Sequence, residues 1–277
     1  MTNLNKLEAY QLSCIRDDRV LFSELDFTLN SGHVLLIEGA NGAGKTSLLR
    51  ILTGFRRAES GNLFWNEELI ENSVHFYQDT AYIGHNNGLK VALTAQENLR
   101  YAQALSSTTL NIDEAMAQVG LDGYQDTLVR LLSAGQQRRL ALARLLCTHK
   151  PLWILDEPFT SLDRASIQLF EQFIETHANQ GGLVIMTSHH ETQLPHTLMQ
   201  KFIYEKNVLT IQRVWRGDKT RPTAGLSFSR RINQSVSFFC HGDYLISTGI
   251  GRRDCVTQAY CTSHYLGSGV ACIAYVD

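Results

Sequence analysis

Several things are scarce in this sequence, and each scarcity removes a class of function. Basic charge is not in excess: 25 Lys and Arg stand against 27 Asp and Glu, for a net charge of -2. The electrostatic footprint of a general nucleic-acid binder is therefore missing. Long apolar runs are absent. Those around residues 152–155 and 183–186 fall far short of the ~20 residues that cross a bilayer. The opening Met1-Thr2-Asn3-Leu4-Asn5-Lys6 has no apolar core of the secretory type, so the expectation is a protein made and kept in the cytosol. The six cysteines contain no C-x-x-C pair and no histidine partner at finger-like spacing. Cys14 and Cys147 read as small core residues, whereas Cys240, Cys255, Cys261 and Cys272 crowd into the last part of the chain.

What is present is an ordinary globular composition, 44% hydrophobic and 19% charged over 277 residues, long enough for one domain or one and a half. Residues 7–12 and 25–29 read as strands joined by the polar turn Arg16-Asp17-Asp18-Arg19. Residues 34–38 form a buried strand, and a glycine-rich turn leads from it into a helix over 47–52 that Gly54 closes. Residues 63–65 and 81–84 are further strands, with a polar stretch between them up to Asp79. Thr94 and Glu97 make a capping box that starts a helix through Ala104, and a helix over 113–119 ends at Gly120. Residues 136–148 read as an amphipathic helix, with Leu140, Ala143 and Leu146 on one face and Arg138, Arg139 and Arg144 largely on another. The continuous apolar strands 152–155 and 183–186 suit a parallel sheet covered on both faces. The helices between residues 83 and 152 would form a separate small lobe.

Six short motifs are candidates to carry chemistry. Gly39-Ala40-Asn41-Gly42-Ala43-Gly44-Lys45-Thr46 lies between a strand and a helix, the context of a phosphate loop. Its backbone N–H groups wrap phosphates, Lys45 reaches the β- and γ-phosphates of ATP, and the Thr46 hydroxyl binds Mg²⁺. Trp153-Ile154-Leu155-Asp156-Glu157-Pro158 delivers Asp156 to the metal shell and Glu157 to where an attacking water is polarised. Ser133-Ala134-Gly135-Gln136 opens a helix. It reads both as an N-cap turn and as a second phosphate site, facing ATP bound by a second copy of the chain. His189, at the end of the last apolar strand, is placed to touch the γ-phosphate, and the strand's phase favours it over His190. His85, in Tyr82-Ile83-Gly84-His85-Asn86-Asn87, sits where a γ-phosphate sensor loop would leave its strand, against the alternative of a loop histidine; Gln78 is a weaker candidate for that role. Ser161-Leu162-Asp163 reads as a turn that crosses a dimer interface or as a plain helix cap.

In this order and spacing the motifs resemble an ABC transporter nucleotide-binding domain over residues 5–205. The fold so implied is α/β, a P-loop NTPase with a mostly parallel core sheet, an antiparallel N-terminal β region and a helical lobe at about residues 90–148. Tyr82-Ile83-Gly84-His85, Leu93-Thr94-Ala95-Gln96-Glu97-Asn98-Leu99 and the run from Leu132 to Arg144 narrow the resemblance to the CcmA branch. That resemblance implies a transport ATPase using ATP and Mg²⁺, on the cytoplasmic face of the bacterial inner membrane. It implies a second copy in an ATP-sandwich dimer, a CcmB-type membrane subunit, further cytochrome c maturation components, and haem handling in c-type cytochrome assembly. It implies no nucleic-acid partner. The adenine-stacking aromatic usual near the N-terminus of ABC domains is not evident; Arg16 stands at about that place, and its guanidinium suits the same task. The competing readings are the ATPase of another transporter, a soluble ABC ATPase working on ribosomes or DNA, and a nucleotide sensor without turnover. Glu157 and His189 oppose the last, because a sensor needs neither.

Residues 211–277 fall outside this resemblance and show no clear helix or strand period. An accessory domain, a disordered extension and an out-of-frame reading are the alternatives. Read one base on, the codons for residues 239–248 and 261–271 permit two membrane-like segments resembling the start of a CcmB-type subunit. The out-of-frame reading is therefore preferred.

Overall fold

A computed structural model describes residues 5–106, 111–189 and 192–205, with side chains as far as residue 202. Beyond these it describes the backbone of 208–213, 229–230, 236–237, 261–266 and 269–274. The chain begins with a hairpin of β1 (Lys6–Arg16) and β2 (Arg19–Asn30). Arg16 pairs with Arg19 across Asp17 and Asp18, whose φ values are 50° and 58°. Two left-handed residues in a two-residue loop match the twist of the flanking strands. Strand β3 (Val34–Gly39) then runs into helix α1 (Lys45–Leu52), and β4 (Ser60–Trp65) and β5 (Glu68–Leu69) return to the hairpin. These close a four-stranded antiparallel sheet in the order β2-β1-β4-β5.

Helix α2 (Val74–Asp79) leads into β6 (Thr80–Ile83). Three helices follow, α3 (Ala95–Ala104), α4 (Ile112–Gln118) and α5 (Ala134–Thr148), and then β7 (Leu152–Leu155), α6 (Arg164–Asn179), β8 (Leu183–Thr187), β9 (Met199–Glu205) and β10 (Val208–Arg213). The second sheet has the order β10-β9-β3-β8-β7-β6. Its pairs are parallel, except that β10 joins β9 antiparallel at the edge.

Alternation along these strands explains why they are apolar throughout. Val34, Leu36, Trp153, Leu155, Val184 and Met186 enter one buried cluster, shared with α3, α4, α5 and α6. Leu35, Ile37, Leu152, Ile154, Leu183 and Ile185 enter a second, shared with β1, β2, β4 and α1. Period-two geometry sends successive side chains to opposite faces, so a sheet covered on both sides needs both sets apolar. The register does the rest. Ile37 pairs with Thr187, Met186 with Leu155, and Leu155 with Ile83. The segments after β3, β8, β7 and β6 therefore leave the sheet at one carboxyl-terminal rim, where open α/β sheets bind their ligands.

Two local readings change. The stretch read as polar up to Asp79 contains α2, capped by Ser73, whose hydroxyl accepts from the Phe76 N–H at 3.1 Å. The fully buried Phe76 ring meets Trp65 edge-on, 6.3 Å between centroids. One aromatic anchor among polar residues gives too faint a period to read. Helix α5 is not amphipathic in the sense expected. Arg138 is buried, as are Leu140, Ala141, Leu142, Ala143, Leu145 and Cys147, while Leu146 is only partly so. A helix largely enclosed between its neighbours and a sheet keeps only half-buried positions such as Arg139, Arg144 and Leu146 beyond its first turn, too few to mark a solvent face. The helical lobe shares the first cluster with the sheet and has no core of its own.

His177 on α6 lies flat against Trp153, 3.8 Å between ring centroids at 6°. Burial pushes its imidazole down to about 4. Its Nε2 lies 3.2 Å from the Pro151 carbonyl oxygen, an acceptor for an N–H at that position. The unfolded chain binds this proton more readily than the folded one, so stability is fully present above pH 6.5 and is lost as pH falls toward 4. Between pH 7 and pH 5 the loss should be about 2 kcal/mol. Urea titrations of the wild type and of His177→Phe at both pH values measure it. An equal loss in both proteins would contradict it.

Past Arg213 the described backbone holds two small ladders, Ser229–Arg230 with Val236–Ser237 and Cys261–Leu266 with Gly269–Ala274, each apart from the larger sheets. Strands thus occur where no strand period is visible. A ladder is made by backbone groups alone, and a two-stranded pair is marginal by itself.

Candidate functional site

The strand-to-helix turn after β3 places Gly44 at the N-cap of α1 with φ of 110°, a left-handed conformation that glycine adopts without strain. No side chain caps this helix. Its first-turn N–H groups and dipole are left for an anion. Lys45, only 7% exposed, folds back over the loop. Its ammonium donates to the carbonyl oxygens of Gly39 at 2.7 Å and Ala40 at 3.2 Å. Burial lowers its pKa, and the carboxylates of Glu157 and Asp156 act against that shift.

Asp156 directly follows β7, with its carboxylate buried between two hydroxyls. Thr46 donates to Oδ2 at 3.0 Å and Thr187 donates to Oδ1 at 2.9 Å. The Thr46 and Asp156 oxygens form a hard-donor pair beside the uncapped helix end. Among the described residues there is no cluster of three or more His, Cys, Asp or Glu able to hold a metal. The pair fits an ion such as Mg²⁺, which takes one or two protein oxygens and completes its shell with phosphates and water.

Glu157 has φ of 49°, an uncommon conformation for a residue with a side chain. Side chains hold both its backbone groups: its N–H donates to Thr187 Oγ1 at 2.9 Å, and its carbonyl accepts from Arg138 Nη2 at 2.7 Å. Its carboxylate Oε1 lies 3.0 Å from His189 Nε2, and that nitrogen is also 3.2 Å from Lys45 Nζ. One ring nitrogen either donates or accepts, so it serves Glu157 or Lys45 at a given moment but not both.

Lys45, Thr46, Asp156, Glu157 and His189 are thus one bonded network on the rim. His85 stands exposed on the loop that leaves the same rim after β6. Gln78 does not belong there. It sits on α2, ahead of β6 and so at the opposite end of a parallel strand, and its carbonyl accepts from the Lys150 ammonium. His190 lies outside the described residues. Arg16, at the tip of the hairpin, makes an exposed ion pair with Asp17 at 3.3 Å.

Ser133 caps α5: its hydroxyl accepts from the Gln136 N–H at 3.2 Å, and its own N–H donates to Gln136 Oε1 at 2.8 Å. The Gln136 amide is therefore engaged in the cap, while Ser133 and Ala134 face outward. A Cβ at Gly135 would stand 2.9 Å from the Ser161 carbonyl oxygen, so that close approach requires glycine. Asp163 caps α6 by accepting from the Ser166 N–H at 2.7 Å, and this bond lowers its pKa. Sequence reasoning missed Thr187, which joins Asp156 to Glu157. A polar residue ending an apolar strand beside Ser188-His189 was the available signal.

A model of the ABC transporter family matches residues 22–160. The cytochrome c biogenesis ATP-binding export protein CcmA of Photobacterium profundum is 46% identical over 200 residues, covering 67% of this chain and 93% of that protein. The protein of the same name from Vibrio cholerae serotype O1 is 47% identical over 189 residues, covering 67% and 91%. That of Escherichia coli O6:H1 is 48% identical over 187 residues, covering 67% and 90%. A solved structure of the ATP binding subunit of an ABC transporter superposes with a TM-score of 0.66 at 21% identity, covering 73% of this chain and 87% of that one. This last likeness is one of fold.

Proposed function

The chain belongs to the ABC transporter family, among proteins resembling CcmA, and on that premise we propose that it is the ATP-hydrolysing subunit of a transporter serving cytochrome c biogenesis. The observation that carries the reading is the bonded rim, where phosphate loop, carboxylates and His189 meet in one network. ATP lies along the loop of Gly39, Ala40, Asn41, Gly42, Ala43, Gly44, Lys45 and Thr46, with Arg16 stacking on the base. Lys45 exchanges the Gly39 and Ala40 carbonyls for phosphate oxygens. That exchange leaves His189 Nε2 to Glu157, which orients and deprotonates the attacking water. Thr46 and Asp156 would hold Mg²⁺, which neutralises phosphate charge. His85 approaches from its loop. Ser133, Gly135 and Gln136 serve the ATP of a second copy, which requires the Gln136 amide to leave its cap or to act through its N–H.

No described helix is long and apolar enough to cross a membrane. A CcmB-type membrane subunit on the cytoplasmic face of the bacterial inner membrane is the partner this reading assigns, with haem handling as the task. Co-expression with such a subunit, followed by detergent extraction and affinity purification, should bring both down together with ATPase activity. A chain that stays in the soluble fraction contradicts the transport reading.

Residues 1–210 form the ATP-binding domain in this reading, while 211–277 carry no function and arise from a shifted frame. Sequencing the 3′ part of the gene tests it. A shift that restores a stop near codon 210 supports it, and a clean frame of 277 codons overturns it.

A further inference from the structure

Arg138 lies on α5 five residues past its cap, is 3% exposed, and uses all five of its guanidinium N–H groups. Nε donates to the Pro158 carbonyl at 2.9 Å. Nη2 donates to the carbonyls of Asp156 at 3.0 Å and Glu157 at 2.7 Å. Nη1 donates to the Gly84 carbonyl at 2.9 Å and to Asn87 Oδ1 at 3.0 Å. Every acceptor is neutral. A buried cation without a bonded carboxylate is expensive, and burial pushes this guanidinium down to about 10. The same helix adds Arg144, which donates to the carbonyls of Asn87 at 2.7 Å and Gly88 at 3.2 Å.

These bonds tie together three segments distant in sequence. One is the helix opened by Ser133-Ala134-Gly135-Gln136. Another is the end of β7, where Glu157 is held in its left-handed conformation between Arg138 and Thr187. The third is the loop of Gly84 to Asn87 that carries His85. We propose that Arg138 is a positioning residue for ATP hydrolysis: it locks the Glu157 backbone and the His85 loop to α5, so that displacement of this helix by a bound partner moves both. The proposal rests on the reading of Glu157 as the base that acts on water.

Planarity matters here. Lysine keeps the charge but presents three donors from one point and cannot serve acceptors on opposite edges. Arg138→Lys and Arg138→Gln, in complex with the membrane subunit, should therefore both lose about 10- to 100-fold in kcat. Equilibrium ATP binding should stay within about twofold of wild type, because no Arg138 bond reaches the phosphate loop. A scaffold role alone would lower Tm and the folded fraction while leaving kcat per folded molecule unchanged, and that result overturns the proposal. So does full activity in Arg138→Lys. If neither variant folds, Asn87→Ala removes a single acceptor on the His85 side. It should lower kcat about threefold or more at unchanged ATP affinity, and an unchanged kcat is again contrary. Glu157→Gln, assayed in parallel, separates the two claims. Its retaining turnover defeats the base assignment, whereas an inactive Glu157→Gln beside fully active Arg138 variants defeats only the positioning role.

Discussion

Glu157→Gln should bind ATP as tightly as the wild type and hydrolyse it about 10²- to 10⁴-fold more slowly, the span a positioned general base supplies. The substitution is nearly isosteric and keeps the backbone bonds to Thr187 and Arg138. It removes the negative charge 3.0 Å from His189 Nε2, and with it the acceptor for the water's proton. The fold should be untouched, so circular dichroism and Tm serve as controls while phosphate release is measured. A second consequence follows from the arithmetic of binding and turnover: a site that closes on ATP but cannot cleave it accumulates the closed state. The variant should therefore show a longer-lived nucleotide complex than the wild type. Turnover near the wild-type rate would remove Glu157 from the mechanism and leave the rim without a base.

Lys45→Ala should fail one step earlier. Its ammonium is the cation of the phosphate loop, and a hydrogen bond to a charged group is worth about 1.5–3 kcal/mol. Loss of that contact corresponds to roughly 10- to 150-fold weaker ATP binding. Here the charge also sits within reach of His189 and interacts with the Glu157 and Asp156 carboxylates, so its loss removes the cation that the proposed binding mode sets against the phosphates. Binding and turnover should fall together, in contrast to Glu157→Gln, where only turnover falls. Equilibrium binding of a fluorescent ATP analogue measures the difference. Equal affinity in Lys45→Ala and wild type would contradict the placement of phosphate on this loop.

Much of the fold is legible because its signals are local. The phosphate loop announces itself by Gly44 and by the strand and helix on either side, and the apolar strands 152–155 and 183–186 announce a sheet buried on both faces. The capping boxes at Thr94 and Ser133 start their helices where the residue pattern puts them. What stayed hidden depends on who packs against whom. Arg138 carries no mark that separates it from Arg139, which donates to the Val119 and Gly120 carbonyls nearer the surface. Only the approach of Arg138 to the Asp156, Glu157 and Pro158 carbonyls, just after β7, makes one of them a hub. Thr187 reads as the last residue of a strand until Asp156 and Glu157 are seen on either side of its hydroxyl. Gln78 looked close to His85 in sequence, but a parallel strand separates its two ends by its own length.

The central claim is that each copy of the chain completes the other's site, with the phosphate loop of one facing Ser133 of its partner. Two single variants test it, Lys45→Ala and Ser133→Arg; the latter lies at an exposed position and gives up the α5 cap bond, at a cost of about 1 kcal/mol that Tm monitors. Each should be nearly inactive alone with the membrane subunit present. Mixed before assembly, they form some pairs in which an intact phosphate loop faces an intact Ser133-Ala134-Gly135-Gln136 turn. ATP hydrolysis in the mixture should rise well above the sum of the two separate preparations and follow the proportion of mixed pairs. A mixture no more active than that sum would contradict the account.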